Sequence, residues 1–138
     1  MIVSNAIAPT PQQLQSLLAS SFSGPVCMLN LLRYKDRASY ADGRATELSG
    51  HEAYRLYGEK MLPHVISKGG RFVFSGSAEH LMIGDVEDLW DSVAIVEYPS
   101  KEAFVEIATS RDVQEFAVHR SAGLAGQLLI AMSADSGI

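Results

Sequence analysis

Cysteine is nearly absent from this chain, with Cys27 alone among 138 residues. One thiol can form neither an intrachain disulfide nor a thiolate zinc cluster. Set in the apolar stretch "VCMLNLL", it is expected to act as a small hydrophobe. A nucleophilic thiol would need an electropositive, partly exposed setting. Basic charge is scarce too, with 11 Lys+Arg against 16 Asp+Glu and a formal net charge of −5. A nucleic-acid partner calls for a basic stripe that neutralises phosphates, so that class is set aside. No apolar run approaches the roughly 18–20 residues a membrane span requires. The opening "MIVSNAIAPTPQQ" has no basic segment followed by a long apolar one, as a signal peptide would. The expected compartment is the cytoplasm.

The familiar catalytic signatures are also missing. His51, His64, His80 and His119 include no i, i+4 pair and none lies beside a cysteine, so no metal site is expected and no cofactor is called for. Gly69-Gly70 reads as a helix stop, "SGSAEH" lacks phosphate-loop spacing, and no nucleophile-elbow motif is present.

What is present is a core. Hydrophobic residues make up 47% of the chain, enough for one domain over residues 1–138 without a disulfide or metal staple. Residues 1–24 form an N-terminal helical extension and residues 25–133 the core. In "APTPQQLQSLLASSF", Thr10 can cap, Pro11 suits the first helical position and Gln13 completes a capping box. "VCMLNLLRY" is a nearly continuous apolar run of strand length. In "SGHEAYRLYGEKMLPHVISKGG", Ser49 and Glu52 form a second capping box, and Pro63 is expected to kink the helix or start a fresh turn. "GRFVFSGSAEHLMIG" and "WDSVAIVEYPS" read as strands, "PSKEAFVEIATS" and "DVQEFAVHRSAG" as helices, "LAGQLLIAMS" as a last strand and "ADSGI" as a frayed tail.

Without the first helix the order is β-α-β-β-α-β. This is the α+β, ferredoxin-like split βαβ pattern, an antiparallel sheet with helices on one face. A sheet with one wet face should alternate apolar and polar residues. "VCMLNLL" and "SVAIVEY" do not, so something should cover the second face. A second copy of the same sheet is the simplest cover, which predicts a homodimer through sheet faces.

"VCMLNLLRYKDRASY", the Tyr-Gly helix ending in Gly-Gly, and the stretch from "WDSVAIVEYPS" to "HRSAGL" together resemble the proteins grouped as domain of unknown function 1330. The likeness runs from Val26 to Met132. It implies a dimeric α+β barrel of the ferredoxin-like class and no established activity. Related dimeric barrels include cofactor-free monooxygenases, muconolactone-type isomerases, haem-binding enzymes and stress-induced proteins. The first helix departs from the shortest members and is expected to add dimer contacts.

Several residues could carry chemistry. Asn30 interrupts an apolar strand, where an amide either pairs internally or orients a substrate carbonyl or hydroxyl. Glu97 sits near the end of another such strand and could act as a general base or acid if desolvated, or else pair with Arg33 or Arg71. By strand alternation Arg33 points away from Asn30, and Arg33 and Arg71 are further candidate residues of a substrate pocket. Tyr54, Tyr57 and His64 share one helix flank and suit a pocket wall, with Trp90 and Asp91 opening the facing strand. Two readings stay open. One is a cofactor-independent monooxygenase- or isomerase-type enzyme using Asn30 and Glu97. The other is a non-catalytic ligand-binding or stress-related dimer.

Overall fold

The computed structural model describes residues 3–133, so the "ADSGI" tail lies outside the described residues. Its elements are α1 (Pro11–Ala19), β1 (Val26–Tyr34), α2 (Gly50–Ser67), β2 (Arg71–Ser77), β3 (Ser92–Tyr98), α3 (Lys101–Ala108), α4 (Arg111–Gly123) and β4 (Leu124–Ser133). The four strands make one antiparallel sheet in the order β2-β3-β1-β4. It is the α+β, ferredoxin-like arrangement, and the sheet is open, with β2 and β4 at its edges.

Local chemistry starts the helices where the residues say it should. Thr10 and Gln13 close one reciprocal capping box and Ser49 and Glu52 another, each satisfying amides that a helix start leaves unpaired. Ser100 and Ser110 cap α3 and α4 through their hydroxyls. Gly69, at φ 89°, takes the left-handed conformation that ends α2. Pro63 does not end it: α2 continues unbroken to Ser67. The proline leaves the Glu59 carbonyl without its usual amide donor, and both residues are exposed, so water can serve that carbonyl.

β2 is shorter than the apolar run suggests. Its register with β3 ends at Ser77↔Ser92, and one further bond joins the Ala78 N–H to the Asp91 carbonyl. Beyond that point the edge strand has no partner backbone. "EHLMIG" therefore forms a connector rather than strand, with Met82 81% and Ile83 90% exposed.

The pairing register sorts the strands into rows across two faces. On the helix-covered face run Phe72–Val96–Met28–Ala131, then Ser75–Ala94–Asn30–Leu129, then Ser77–Ser92–Leu32–Gln127. Val26, Met28, Val96 and Tyr98 on this face are buried beneath Tyr57, Met61, Val65 and Phe104 from the helices. On the opposite face run Arg71–Glu97–Cys27–Met132, Phe74–Ile95–Leu29–Ile130 and Gly76–Val93–Leu31–Leu128. No helix among the described residues covers that second set.

Two close backbone approaches aim the helices. A Cβ on Gly123 would stand 2.3 Å from the Gly50 carbonyl oxygen, and one on Gly50 would stand 2.1 Å from the Lys35 carbonyl oxygen. Only glycine lets the start of α2, the end of α4 and the end of β1 meet this closely. The Lys35 N–H donates to the Gly123 carbonyl and the Gly50 N–H to the Lys35 carbonyl, at 2.8 and 3.0 Å. At the other side, α1 packs on its own chain through Leu14 and Leu17, and the turn after it through Phe22. Buried Lys101 holds it there, donating from Nζ to the Ser20 carbonyl while its ammonium lies 5.4 Å from the Phe22 ring centre.

Candidate functional site

Between the helix-covered face and the helices lies a cavity of about 670 Å³. Its floor is the sheet: Ser75, Ser77, Ser92, Asn30 and Gln127 give it a polar end, Met28 and Val96 an apolar one. Its roof is α2 and α4, which present Tyr54, Tyr57, Met61 and Arg120. Ala8, Pro9 and Leu14 bring the N-terminal segment to the wall, where the Ala6 N–H bonds the Gln127 carbonyl at 3.4 Å. The extension thus contributes to the cavity of its own chain.

Aromatic rings line one side in contact with each other. Tyr34 stacks on His51 with centres 4.6 Å apart, meets Tyr54 at 5.7 Å, and Tyr54 meets Tyr57 at 5.5 Å. The Arg120 guanidinium carbon continues the series, 5.5 Å from the Tyr57 ring centre. Burial pushes the Tyr54, Tyr57 and Tyr98 phenols above their ordinary range, so near neutral pH they are hydroxyl donors rather than phenolates. For Tyr57 the nearby Arg120 charge opposes that rise.

Asn30 lines the floor, with both ends of its amide engaged by protein. Nδ2 donates to the Ala94 carbonyl at 3.1 Å and the Met28 carbonyl at 3.3 Å, while Oδ1 accepts from Gln127 Nε2 at 2.7 Å. Internal pairing holds this amide rigidly, and the Asn30–Gln127 pair turns a polar edge to the cavity.

Glu97 stands elsewhere. Its row is on the uncovered face, where Oε2 accepts from Arg71 Nε at 2.7 Å and Oε1 lies 3.9 Å from Cys27 Sγ. The sheet therefore separates Glu97 from Asn30, and the two do not form one acid-base site. Strand alternation places them so, because Glu97 pairs with Cys27, an odd step from Asn30. Burial, then the Glu97 charge, raises the Cys27 thiol, which leaves it protonated and a poor nucleophile near neutral pH.

The other candidates divide likewise. Tyr54 and Tyr57 line the cavity. Arg71 is taken up by Glu97 on the uncovered face. Arg33 pairs with Asp88 at 2.9 Å and lies 5.3 Å from the Trp90 ring centre, so both serve the β2–β3 connector. Asp91 accepts from the Tyr34 N–H at 2.7 Å, fixing the end of β1. His64 packs edge-on against Phe116, with Asp112 at 3.9 Å, outside the cavity. Among the described residues no three His, Cys, Asp or Glu side chains gather as a metal set.

Arg120 and Gln127 are cavity residues that strand and helix assignment alone does not single out. A signal for Arg120 exists: it follows Val113 and Phe116 at helical spacing, so a charged residue stands on the apolar stripe of α4.

Residues 39–134 match the family model described as domain of unknown function (DUF1330). The chain belongs to the DUF1330 family. Two solved structures of the RPA0582 protein agree with that. One, described as a protein of unknown function from Rhodopseudomonas palustris, is 35% identical with a TM-score of 0.85, covering 97% of this chain and all of that one. The methylated form is 37% identical with a TM-score of 0.86, covering 99% of this chain and 100% of the other. A dimeric ferredoxin-like protein of unknown function from Thermobifida fusca, 13% identical with a TM-score of 0.52 over 84% of this chain and 96% of its own, shares the fold. No curated protein matches this DUF1330 chain.

Proposed function

We propose that this DUF1330 protein binds a small organic molecule in the cavity between the sheet and α2 and α4, and does so as a homodimer joined through the uncovered sheet faces. The observation that carries the binding reading is the cavity itself. Its volume, about 670 Å³, lies in the range of small-molecule sites, and it sets a few fixed polar groups within an apolar and aromatic wall. Tyr54, Tyr57 and the Asn30–Gln127 pair are the contacts proposed for the ligand's polar part. Met28, Met61 and Phe104 would hold its body.

The dimer reading is supported by the Phe74–Ile95–Leu29–Ile130 row, four apolar side chains abreast on a face that no helix covers. Phe74 is 57% and Ile130 43% exposed in the single chain. Sheet-on-sheet packing would bury that row. The relative from Thermobifida fusca is described as dimeric, which agrees with this proposal.

Ala94 lies in the middle of the cavity floor, so Ala94→Phe should fill the space without touching the uncovered face. A metabolite panel screened by thermal shift is expected to yield compounds that raise the Tm of the wild-type chain and not of the filled variant. Equal shifts in both proteins would place binding elsewhere and overturn the reading.

A further inference from the structure

We infer that the molecule held in this cavity is a small carboxylic acid with an apolar or aromatic body, and that Arg120 anchors its carboxylate. The inference rests on the reading of the cavity as a ligand site and adds the chemical class of the ligand.

Three nitrogens of half-buried side chains are shut off from solvent without a hydrogen-bond acceptor: Arg33 Nε, His64 Nε2 and Arg120 Nε. Arg33 and His64 each have an aspartate within reach, Asp88 at 2.9 Å and Asp112 at 3.9 Å. Arg120 has none among the described residues, since no salt bridge includes it. A guanidinium is charged at any physiological pH, and withdrawing it from water without a counter-charge is costly. The structure places this half-buried cation on the wall of the cavity, against the Tyr57 ring and with no carboxylate beside it among the described residues.

The rest of the lining is consistent with an anion. The chain as a whole carries −5, yet the cavity's charged lining is Arg55 and Glu59, both exposed, and the half-buried Arg120, so its one withdrawn charge is positive. Two further aromatic donors, Tyr54 and Tyr98, line the same cavity. A planar guanidinium fork matches a carboxylate in two parallel hydrogen bonds, and phenol hydroxyls can add a third. Phosphate would suit the fork as well, but Met28, Met61, Val96 and Phe104 fill the remaining space with apolar surface, which favours a carbon body carrying one small charged group.

α4 is held for this purpose by its end. Arg120 lies three residues before Gly123, whose carbonyl takes the Lys35 N–H, so its helical turn is fixed against α2 and β1. The helical turn that carries the guanidinium is therefore set by the fold before any ligand arrives.

Isothermal titration of the full chain with cinnamate, benzoate and octanoate, each beside its neutral amide, tests the assignment. The acids are expected to bind about tenfold or more tighter than their amides, a difference of about 1.4 kcal/mol. Arg120→Met should abolish that preference while leaving amide binding in place, and Arg120→Lys should keep part of it. Equal affinity of acid and amide for the wild-type chain overturns the carboxylate assignment and leaves the cavity reading standing. Acid preference undiminished in a folded Arg120→Met chain overturns the role of Arg120. Failure of every acid and every amide to bind counts against the cavity reading as well. The wild-type comparison needs no variant, so it decides the ligand class even where Arg120→Met does not fold.

Discussion

Asn30 and Arg120 illustrate what one residue can and cannot disclose. An amide among leucines is visible at once in "CMLNLL", and alternation correctly puts it on the face opposite Arg33. Its partners are not visible, because Gln127 and the Ala94 carbonyl come from strands 97 and 64 residues away. Arg120 was harder to see for the converse reason. In a chain of acidic balance an arginine near a helix end looks like a solvated cap, and only its spacing from Val113 and Phe116 turns it inward. Glu97 stood out equally well, yet parity with Cys27 sends it to the other face. The tyrosines supply the prediction at this scale. Four of them, Tyr34, Tyr54, Tyr57 and Tyr98, are raised above 10 by burial. Phenols raised in the folded state hold their protons past pH 10, where those of the unfolded chain lose them. Their contribution is therefore complete below pH 10 and lost as pH climbs above it. Ultraviolet titration should show phenolate absorbance rising later in the native chain than in urea, with Tm falling over the same range. Coincident native and denatured titrations would contradict the burial of these rings.

At the scale of elements, the helix starts and strand runs were legible because they depend on neighbours in sequence. Thr10 with Gln13 and Ser49 with Glu52 cap where they were expected to, since a capping box is complete within four residues. What was not legible depended on partners. "EHLMIG" has a strand's composition but no strand beside it, and Pro63 sits on an exposed turn where water can take the place of the lost hydrogen bond. The two-sided apolar character of β1 and β3, by contrast, is read from composition alone and leads to the uncovered face. That face carries its own test. Ile95 sits in the middle of the Phe74–Ile95–Leu29–Ile130 row and points away from the helix-side core. Sedimentation equilibrium of the wild-type chain is expected to give twice the 14.9 kDa chain mass. Ile95→Lys, which would set two like charges in a sheet-to-sheet interface, should shift the protein to monomer while circular dichroism stays native. A wild-type monomer at micromolar concentration, or a variant that remains fully dimeric, would contradict the sheet-face dimer.

For the whole molecule, the two faces of the sheet differ in what surrounds them. One face and the helices α2 and α4 enclose a cavity with a polar end and an apolar end. The other carries the Phe74–Ile95–Leu29–Ile130 row beside the Arg71–Glu97 pair, and is the face proposed to meet a second copy. The glycine contact of Gly50 with Gly123 joins these levels, because it fixes the two helices that carry Tyr54 and Arg120 over the floor that carries Asn30. The most direct test of this division is methyl NMR of the full chain during titration with cinnamate. Shifts are predicted for methyl groups of Met28, Leu32, Met61 and Val96, which line the cavity, with those of Leu29, Leu31, Ile95 and Ile130 unmoved. Shifts confined to the second group would put the ligand on the uncovered face and contradict the account.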